Sequence, residues 1–172
     1  MKKNYVLIDY ENVQPDAMAV LDKDHFNVIV FVGAAQAKVT YEVASVLQRM
    51  GDRAQYIKIT GNGSNALDFH IAYYIGQLAE KEPDAYFHII SKDTGFDPLL
   101  QHLKSKKILA CRSKSGAELP LVKVANSKSP AEKAAAVVAH LARSSRPRTL
   151  KTLGSTINSI FQKSLSEAEV EQ

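Results

Sequence analysis

Short runs of consecutive apolar residues alternate, over the first two thirds of the chain, with stretches in which apolar residues recur every three or four positions. The runs are typical of strands buried on both faces of a parallel sheet, and the spaced stretches are typical of amphipathic helices. The predicted strands are residues 5–8, 28–32, 54–59, 86–90 and 107–111, with a further edge strand at 121–125. The predicted helices between them are residues 15–21, 39–50, 65–81 and 96–104. This alternation predicts an α/β fold with helices on both faces of a parallel sheet.

The alternation ends near residue 125, and the chain continues with a polar segment and two or three amphipathic helical stretches. The predicted organisation is a domain at 1–125, a linker at 126–130 and a helical module at 131–172. Ser129 and Glu132 have the spacing of a capping box, with Pro130 at the first helical position. We expect a helix-turn-helix-like module that continues beyond residue 172, because the helix opened by Ser166 is still running there.

The composition excludes several classes of protein. Hydrophobic residues make up 45% of the chain, enough for a core, but no apolar run is long enough to span a bilayer. Asp9 and Glu11 interrupt the apolar segment that a signal peptide would need. The single cysteine, Cys111, excludes an internal disulfide and a thiolate zinc cluster. We therefore expect a cytoplasmic protein.

The net charge of +4 is unevenly distributed along the chain. Residues 1–103 carry 9 Lys and Arg against 13 Asp and Glu, whereas residues 104–163 carry 13 against 2. An acidic first part and a basic second part suit a carboxylate-rich metal site joined to a surface that binds a polyanion. Basic residues that only keep the second part soluble are an equally good explanation of this charge.

The first predicted strand ends at Asp9. A carboxylate in the middle of a buried strand would be costly, so we expect Asp9 at the carboxyl end of the strand, where ligands bind in open α/β sheets. Asn12, three residues later, is placed to form hydrogen bonds in the same crevice. A role for Asp9 as the cap of the following helix is less favoured, because Asn12 and Gln14 lie closer to that helix.

Asp68 lies on the apolar side of the long predicted helix, between Leu67 and Ala72 on a helical wheel. A carboxylate on that side needs a partner or a metal ion, and in the first turn it also interacts favourably with the helix dipole. Glu42 fails the same test, because it lies outside the apolar arc of its helix, and we expect it to be solvated.

A second group of acids follows the strand at 86–90. Asp93 comes directly after that strand, and Asp97 lies in the first turn of the next helix. Thr94 with Asp97 has the spacing of a capping pair, which would require no chemistry, so a functional role for Asp97 stays open. Asp93 is less easily explained as a cap.

Three acids at one edge of a sheet would repel each other, and a hard divalent cation would remove that repulsion. Ligands that are all oxygen favour Mg²⁺ or Mn²⁺, and such a site can hydrolyse phosphodiesters. From repulsion alone, replacing Asp9 or Asp93 with asparagine is expected to leave metal-free stability unchanged or higher.

Three segments resemble, in order, the motifs of the NYN branch of the PIN-like ribonuclease superfamily. They are Leu7-Ile8-Asp9-Tyr10-Glu11-Asn12, Asn65-Ala66-Leu67-Asp68, and Ser91-Lys92-Asp93 followed by Phe96, Pro98 and Leu99. The resemblance covers about the first two thirds of the chain. It implies a Rossmann-like sheet of order 3-2-1-4-5, metal-dependent cleavage of RNA, and metal-binding and catalytic roles for Asp9, Asp68 and Asp93.

One position departs from that family's pattern. Gly95 stands where the third motif often has a second aspartate, and Asp97 is the candidate to replace it as a metal ligand. The number of bound metal ions is therefore left open. Side chains predicted to contact the substrate in this region are those of Asn12, Ser91 and Thr94.

The leading hypothesis is a metal-dependent ribonuclease whose basic second part holds RNA through Arg143, Arg146, Arg148 and Lys151. The alternative is a non-catalytic RNA-binding or adaptor protein on the same fold. The apolar stripes of the helical module also suit a homo-oligomer or a protein partner. A nucleotide-binding domain is disfavoured, since no glycine-rich fingerprint follows the first strand.

Overall fold

In a computed structural model of the chain, the described residues are 3–13, 18–63, 65–119, 122, 129–142, 147, 149–161 and 170. The chain divides into two compact units, residues 1–117 and 118–172. Among the described helices, none has the length and apolar character needed to cross a membrane.

The first unit is built on a five-stranded sheet in which all neighbouring strands are parallel. Its strands are β1 (Asn4–Asp9), β2 (Phe26–Val32), β3 (Ala54–Lys58), β4 (Tyr86–Ile90) and β5 (Leu109–Ser113). Their spatial order is β3-β2-β1-β4-β5, which confirms the predicted α/β fold and the order implied by the resemblance. The last strand begins two residues later than predicted. Lys107 has a positive φ of 62° and belongs to the turn that follows a helix.

Three α-helices accompany the sheet: α1 (Tyr41–Met50), α2 (Ala66–Lys81) and α3 (Asp97–Ser105). Helix α1 begins after Val39, later than predicted, because the Thr40 hydroxyl accepts a hydrogen bond from the Val43 amide and caps the helix. Of the predicted helix at 15–21, the described part is a 3₁₀ turn at Met18–Leu21, and residues 14–17 lie outside the described residues.

Strand β1 is the centre of the core, and all six of its residues are buried. Apolar side chains from β1, β2 and β4 form one cluster with the buried side of α2, including Leu7, Phe31, Ile71, Ile75 and Ile89. Since apolar side chains occupy both faces of β1, its one carboxylate, Asp9, lies at the end of the strand.

The second unit contains two described helices, α4 (Pro130–Leu141) and α5 (Leu150–Ile160). The predicted capping box is confirmed: the Glu132 amide donates to the Ser129 hydroxyl at 3.2 Å, and the Ser129 amide donates to the Glu132 carboxylate at 3.1 Å. Phe161 is buried and is packed by Ala136, Val137 and Ile157.

Two predictions near this unit fall mainly on undescribed residues. Val122 is the described residue of the predicted strand at 121–125, and it is helical, so a strand at that position is wrong. Of the predicted linker at 126–130, residues 126–128 lie outside the described residues. Of the helix predicted from Ser166, residues 166–169 lie outside them as well.

Candidate active site at the carboxyl ends of the strands

Asp9 is the last residue of β1 and is completely buried. Its Oδ1 accepts a hydrogen bond from the Asn12 backbone amide at 3.2 Å. Its Oδ2 accepts two more at 2.7 Å, from the Asn12 side-chain amide and from the Ser91 hydroxyl. The chain can return to Asp9 because residues 10–12 form a turn, closed by a bond from the Val13 amide to the Asp9 carbonyl. Three donors compensate the carboxylate for the loss of water.

Ser91 connects two of the acidic segments. It follows β4 directly, and its hydroxyl donates to Asp9 while accepting a hydrogen bond from the Asp93 amide at 3.0 Å. The residue has no exposed surface, so the predicted direct contact between Ser91 and substrate is not supported. The hydroxyl instead positions the Asp9 carboxylate and the start of the loop that carries Asp93.

Asp93 is half-buried and caps a 3₁₀ turn at Thr94–Phe96, with its Oδ1 accepting from the Gly95 amide at 2.7 Å. The capping role that the sequence suggested for Thr94 and Asp97 thus belongs to Asp93. Thr94 is exposed. The cap engages one carboxylate oxygen of Asp93 in a hydrogen bond. The carboxylate keeps its negative charge, which can still interact with other charged groups.

Asp97 has a partner that the sequence did not reveal. Arg112, on β5, donates from Nε to Oδ1 at 2.9 Å and from Nη2 to Oδ2 at 3.2 Å, a bidentate pair. The same guanidinium donates to the Ser91 carbonyl at 3.3 Å. A metal-binding role for Asp97 stays a prediction, and it would require at least one carboxylate oxygen to be shared with Arg112 or released by it.

Asp68 lies in the first turn of α2 and is half-buried, in agreement with its predicted position on the inner side of the helix. Burial raises the pKa of its carboxyl group, and the negative charges of Asp9, Asp93 and Glu11 raise that pKa further. Three carboxylates thus act on Asp68, and together with it they come from three separate segments of the chain. Glu42, by contrast, is exposed as predicted.

Glu11 was not singled out as a site residue from the sequence. Its side chain lies across Gly33, at the end of β2, so closely that a Cβ atom at position 33 would be 1.7 Å from Glu11 Oε1. Gly33 thus leaves room for a carboxylate above the sheet edge. A glycine that ends the strand next to an acidic motif was the available signal, but it equally marks an ordinary strand end.

The chemistry of this cluster fits a hard divalent cation. Oxygen atoms are available as metal ligands on five side chains here: Asp9, Glu11, Asn12, Asp68 and Asp93. A cation would also remove the repulsion that, after burial, raises the pKa of Asp68. In the described part of the chain, no three His, Cys, Asp or Glu side chains are arranged so that they could hold a metal ion as they stand. Binding would thus require side-chain adjustment.

The predicted RNA-binding residues of the second unit are described only in part. Lys151 is exposed on α5, whereas Arg143, Arg146 and Arg148 lie outside the described residues. Their contact with RNA stays a prediction.

The family model of the PIN domain matches residues 3–113. Searches of curated proteins and of solved structures gave no match to the chain. The matched range contains the whole parallel sheet and all the acids described above. A match over well over half of the chain, together with this fold, shows that the chain belongs to the PIN domain family, a nuclease-like fold.

Proposed function

We propose that the protein is a metal-dependent ribonuclease of the NYN type, which hydrolyses RNA phosphodiester bonds at the acid cluster. One observation carries the proposal: the buried Asp9 at the carboxyl end of β1 is joined through the Ser91 hydroxyl to the segment that carries Asp93. Burial raises the pKa of the nearby Asp68, and the charges of Asp9, Asp93 and Glu11 raise it further, in agreement with this gathering of acids. Carboxylates gathered against their own repulsion at a ligand-binding edge of the sheet are typical of functional sites. The PIN family match supports the nuclease part of the proposal.

The residues proposed to hold Mg²⁺ or Mn²⁺ are Asp9, Asp68 and Asp93. The ion, when bound, would supply an activated water and neutralise charge that develops on the phosphate. Ser91 and Asn12 hold Asp9 in one orientation through its two oxygens. Arg112 holds Asp97 and the Ser91 carbonyl, so we propose that this pair positions the site and that Asp97 binds metal only as a secondary ligand.

We also propose that the basic residues Arg143, Arg146, Arg148 and Lys151 hold the RNA backbone. Residues 104–163 carry 13 basic against 2 acidic residues, a balance suited to phosphate contacts. A cytoplasmic location is proposed with the RNA substrate.

A non-catalytic RNA-binding or adaptor protein is the second candidate. It is favoured by Gly95 in the place of an acid and by the engagement of both Asp97 oxygens with Arg112. Fewer free carboxylates would weaken metal binding, and the fold would then present RNA without cutting it.

Cleavage of end-labelled RNA separates the two candidates. We expect the wild type to cleave with Mg²⁺ or Mn²⁺ and not with EDTA, and Asp68→Asn to lose most of this activity. In EDTA the midpoint of thermal unfolding of Asp68→Asn should be unchanged or higher. Since the pKa of Asp68 is raised in the folded protein, its ionisation costs folding free energy as the pH rises through that pKa, and asparagine carries no charge.

The matched control is Asp84→Asn, which removes one exposed carboxylate from the turn before β4. This turn lies at the amino end of the strand, whereas the acid cluster lies at the carboxyl ends. It should cleave like the wild type. Wild-type protein that binds RNA but does not cleave it with either metal would reject the ribonuclease and favour the adaptor.

Removing four of the basic charges of the second unit should flatten the salt dependence of RNA binding. A variant with Arg143, Arg146, Arg148 and Lys151 all changed to glutamine would lose up to about 3 in the slope of log affinity against log salt, at about 0.7 per phosphate contact. The control changes four exposed lysines of the first unit, Lys104, Lys106, Lys107 and Lys114, to glutamine. An equal slope change in both variants would reject a specific RNA-holding role. A change of oligomeric state without a change of slope would assign the module to a protein contact.

A further inference from the structure

A cavity of about 450 Å³ opens near the carboxyl ends of β2 and β3, on the side of the sheet next to the acid cluster. Val32 and Val39 provide apolar walls, Tyr56 an aromatic one, and Lys38, Lys58 and Gln36 polar edges. We call it the Tyr56 pocket. Another cavity, of about 400 Å³ around Pro83 and Ile108, lies near the amino ends of β4 and β5, away from the acid cluster.

Tyr56 belongs to the edge strand β3, and 43% of its surface is exposed. Burial raises the pKa of its phenol, and Tyr10 raises it further. A tyrosine is uncharged at neutral pH even without such a shift. An exposed, uncharged aromatic face beside apolar side chains suits the flat face of a nucleobase, since base–aromatic stacking needs no particular base.

The charge of the pocket suits a phosphate. Lys58 donates from its ammonium group to the Gly33 carbonyl at 2.7 Å and to the Gln36 carbonyl, which are neutral acceptors. Neither Lys58 nor Lys38 forms an ion pair with a carboxylate among the described residues. These two lysines thus have no carboxylate within ion-pair distance in the described part of the chain, in contrast to Arg112 beside Asp97.

The pocket is connected to the acid cluster through one side chain. Gln36 donates to the Tyr10 carbonyl at 3.2 Å and accepts from the Gly33 amide at 3.2 Å. Tyr10 directly follows Asp9, and Glu11 lies across Gly33. Gln36 thus joins a wall of the pocket to the segment that carries Asp9 and Glu11.

We propose that the Tyr56 pocket binds one unpaired nucleotide of the RNA next to the bond that is cut, with its base on Tyr56 and its phosphate near Lys38 and Lys58. The proposal rests on the proposed ribonuclease function and adds to it a position for one base, on Tyr56. A base within a duplex is already stacked on both faces and cannot stack on Tyr56 without leaving the helix.

Fluorescence anisotropy in EDTA tests the pocket without cleavage. The probes are a labelled single-stranded oligoadenylate and a labelled blunt duplex of the same length. Tyr56→Ala should bind the single strand about 5- to 100-fold more weakly, as expected for one lost stacking contact, while Tyr56→Phe stays within about twofold of the wild type. Tyr41→Ala removes a tyrosine that is 82% exposed on α1 and serves as the matched control with no change.

The results separate this proposal from the ribonuclease itself. If Tyr56→Ala binds the single strand like the wild type, the pocket proposal is overturned even where metal-dependent cleavage is present. If no protein cleaves but single-strand binding still depends on Tyr56, the pocket stands and the catalytic proposal fails. If Tyr56→Ala weakens the binding of duplex and of single strand equally, the proposal is overturned. It is also overturned if Tyr56→Ala changes the oligomeric state and leaves RNA affinity unchanged, which would assign the pocket to a protein contact.

Discussion

Asp9→Asn is expected to lose metal-dependent RNA cleavage by at least about 100-fold. Loss of a residue that only supports a metal ligand costs about 10- to 100-fold, and Asp9 is proposed as a ligand itself. The measurement is the rate of cleavage of labelled RNA at saturating Mg²⁺ or Mn²⁺.

The same variant is expected to be less stable than the wild type in EDTA. Asparagine would place an NH₂ group where one Asp9 oxygen now accepts from Asn12 or Ser91, so two donors would face each other in a buried place. An unsatisfied buried donor costs about 1–3 kcal/mol. The expectation from sequence considered only the relief of repulsion between carboxylates. In the folded protein three hydrogen-bond donors stabilise the Asp9 carboxylate, and we expect the loss of these bonds to outweigh that relief.

Two further variants sharpen this test. Asp93→Asn keeps an oxygen to accept from the Gly95 amide, so it should lose activity with little loss of metal-free stability. Ser91→Ala keeps every charge but removes a donor to Asp9, and should lose about 10- to 100-fold in activity. An Asp9→Asn enzyme with wild-type activity would remove Asp9 from the proposed site.

Acidification between pH 6.5 and 4 is expected to destabilise the protein by up to about 3 kcal/mol through His88. His88 is 2% exposed in the middle of β4, with one ring nitrogen 3.0 Å from Asn4 Oδ1 and the other 3.3 Å from Cys111 Sγ. Burial, with a smaller contribution from His25, lowers the pKa of His88 to about 4. The unfolded chain binds the proton near pH 6.5 and the folded chain does not, so stability falls as the pH falls through this range.

Unfolding by urea at several pH values measures this effect. Between pH 4.5 and 6 the wild type should lose stability more steeply than His88→Leu, by about 1.4 kcal/mol per pH unit at most. His102→Gln, which changes an exposed histidine, should have the wild-type slope. Equal slopes for the wild type and His88→Leu would show that His88 is protonated in the folded protein.

Strands β1, β2 and β4 were predictable because each is a nearly continuous apolar run, and a run buried on both faces is recognisable without its neighbours. The outer strands β3 and β5 are partly exposed and contain polar residues, so their prediction depended on the alternation with helices. Their order was not contained in those runs. The place of β1 between β2 and β4 was implied only by the family resemblance. The inner position of Asp68 followed from helical periodicity, since residues of one helix are fixed relative to each other.

The contacts that define the site could not be predicted in this way. The bidentate Arg112–Asp97 pair, the burial of Ser91 against Asp9 and the passage of Glu11 over Gly33 each join different elements. Their existence depends on how strands are spaced and twisted, which local patterns do not encode. For this reason the spacing of Thr94 and Asp97 suggests a capping pair although Asp93 forms the cap, and no local pattern indicates that Ser91 is enclosed.

The central place of β1 has a consequence for protein synthesis. Of the five strands, β1 is synthesised first, yet one of its two neighbours, β4, ends at Ile90. The hydroxyl that donates to Asp9 belongs to Ser91. At about 5–20 residues per second, synthesis of the segment between them takes on the order of ten seconds. A nascent chain therefore carries an incomplete acid cluster throughout that interval. Under the proposed function, the nascent chain cannot cleave RNA until that segment has been made and folded.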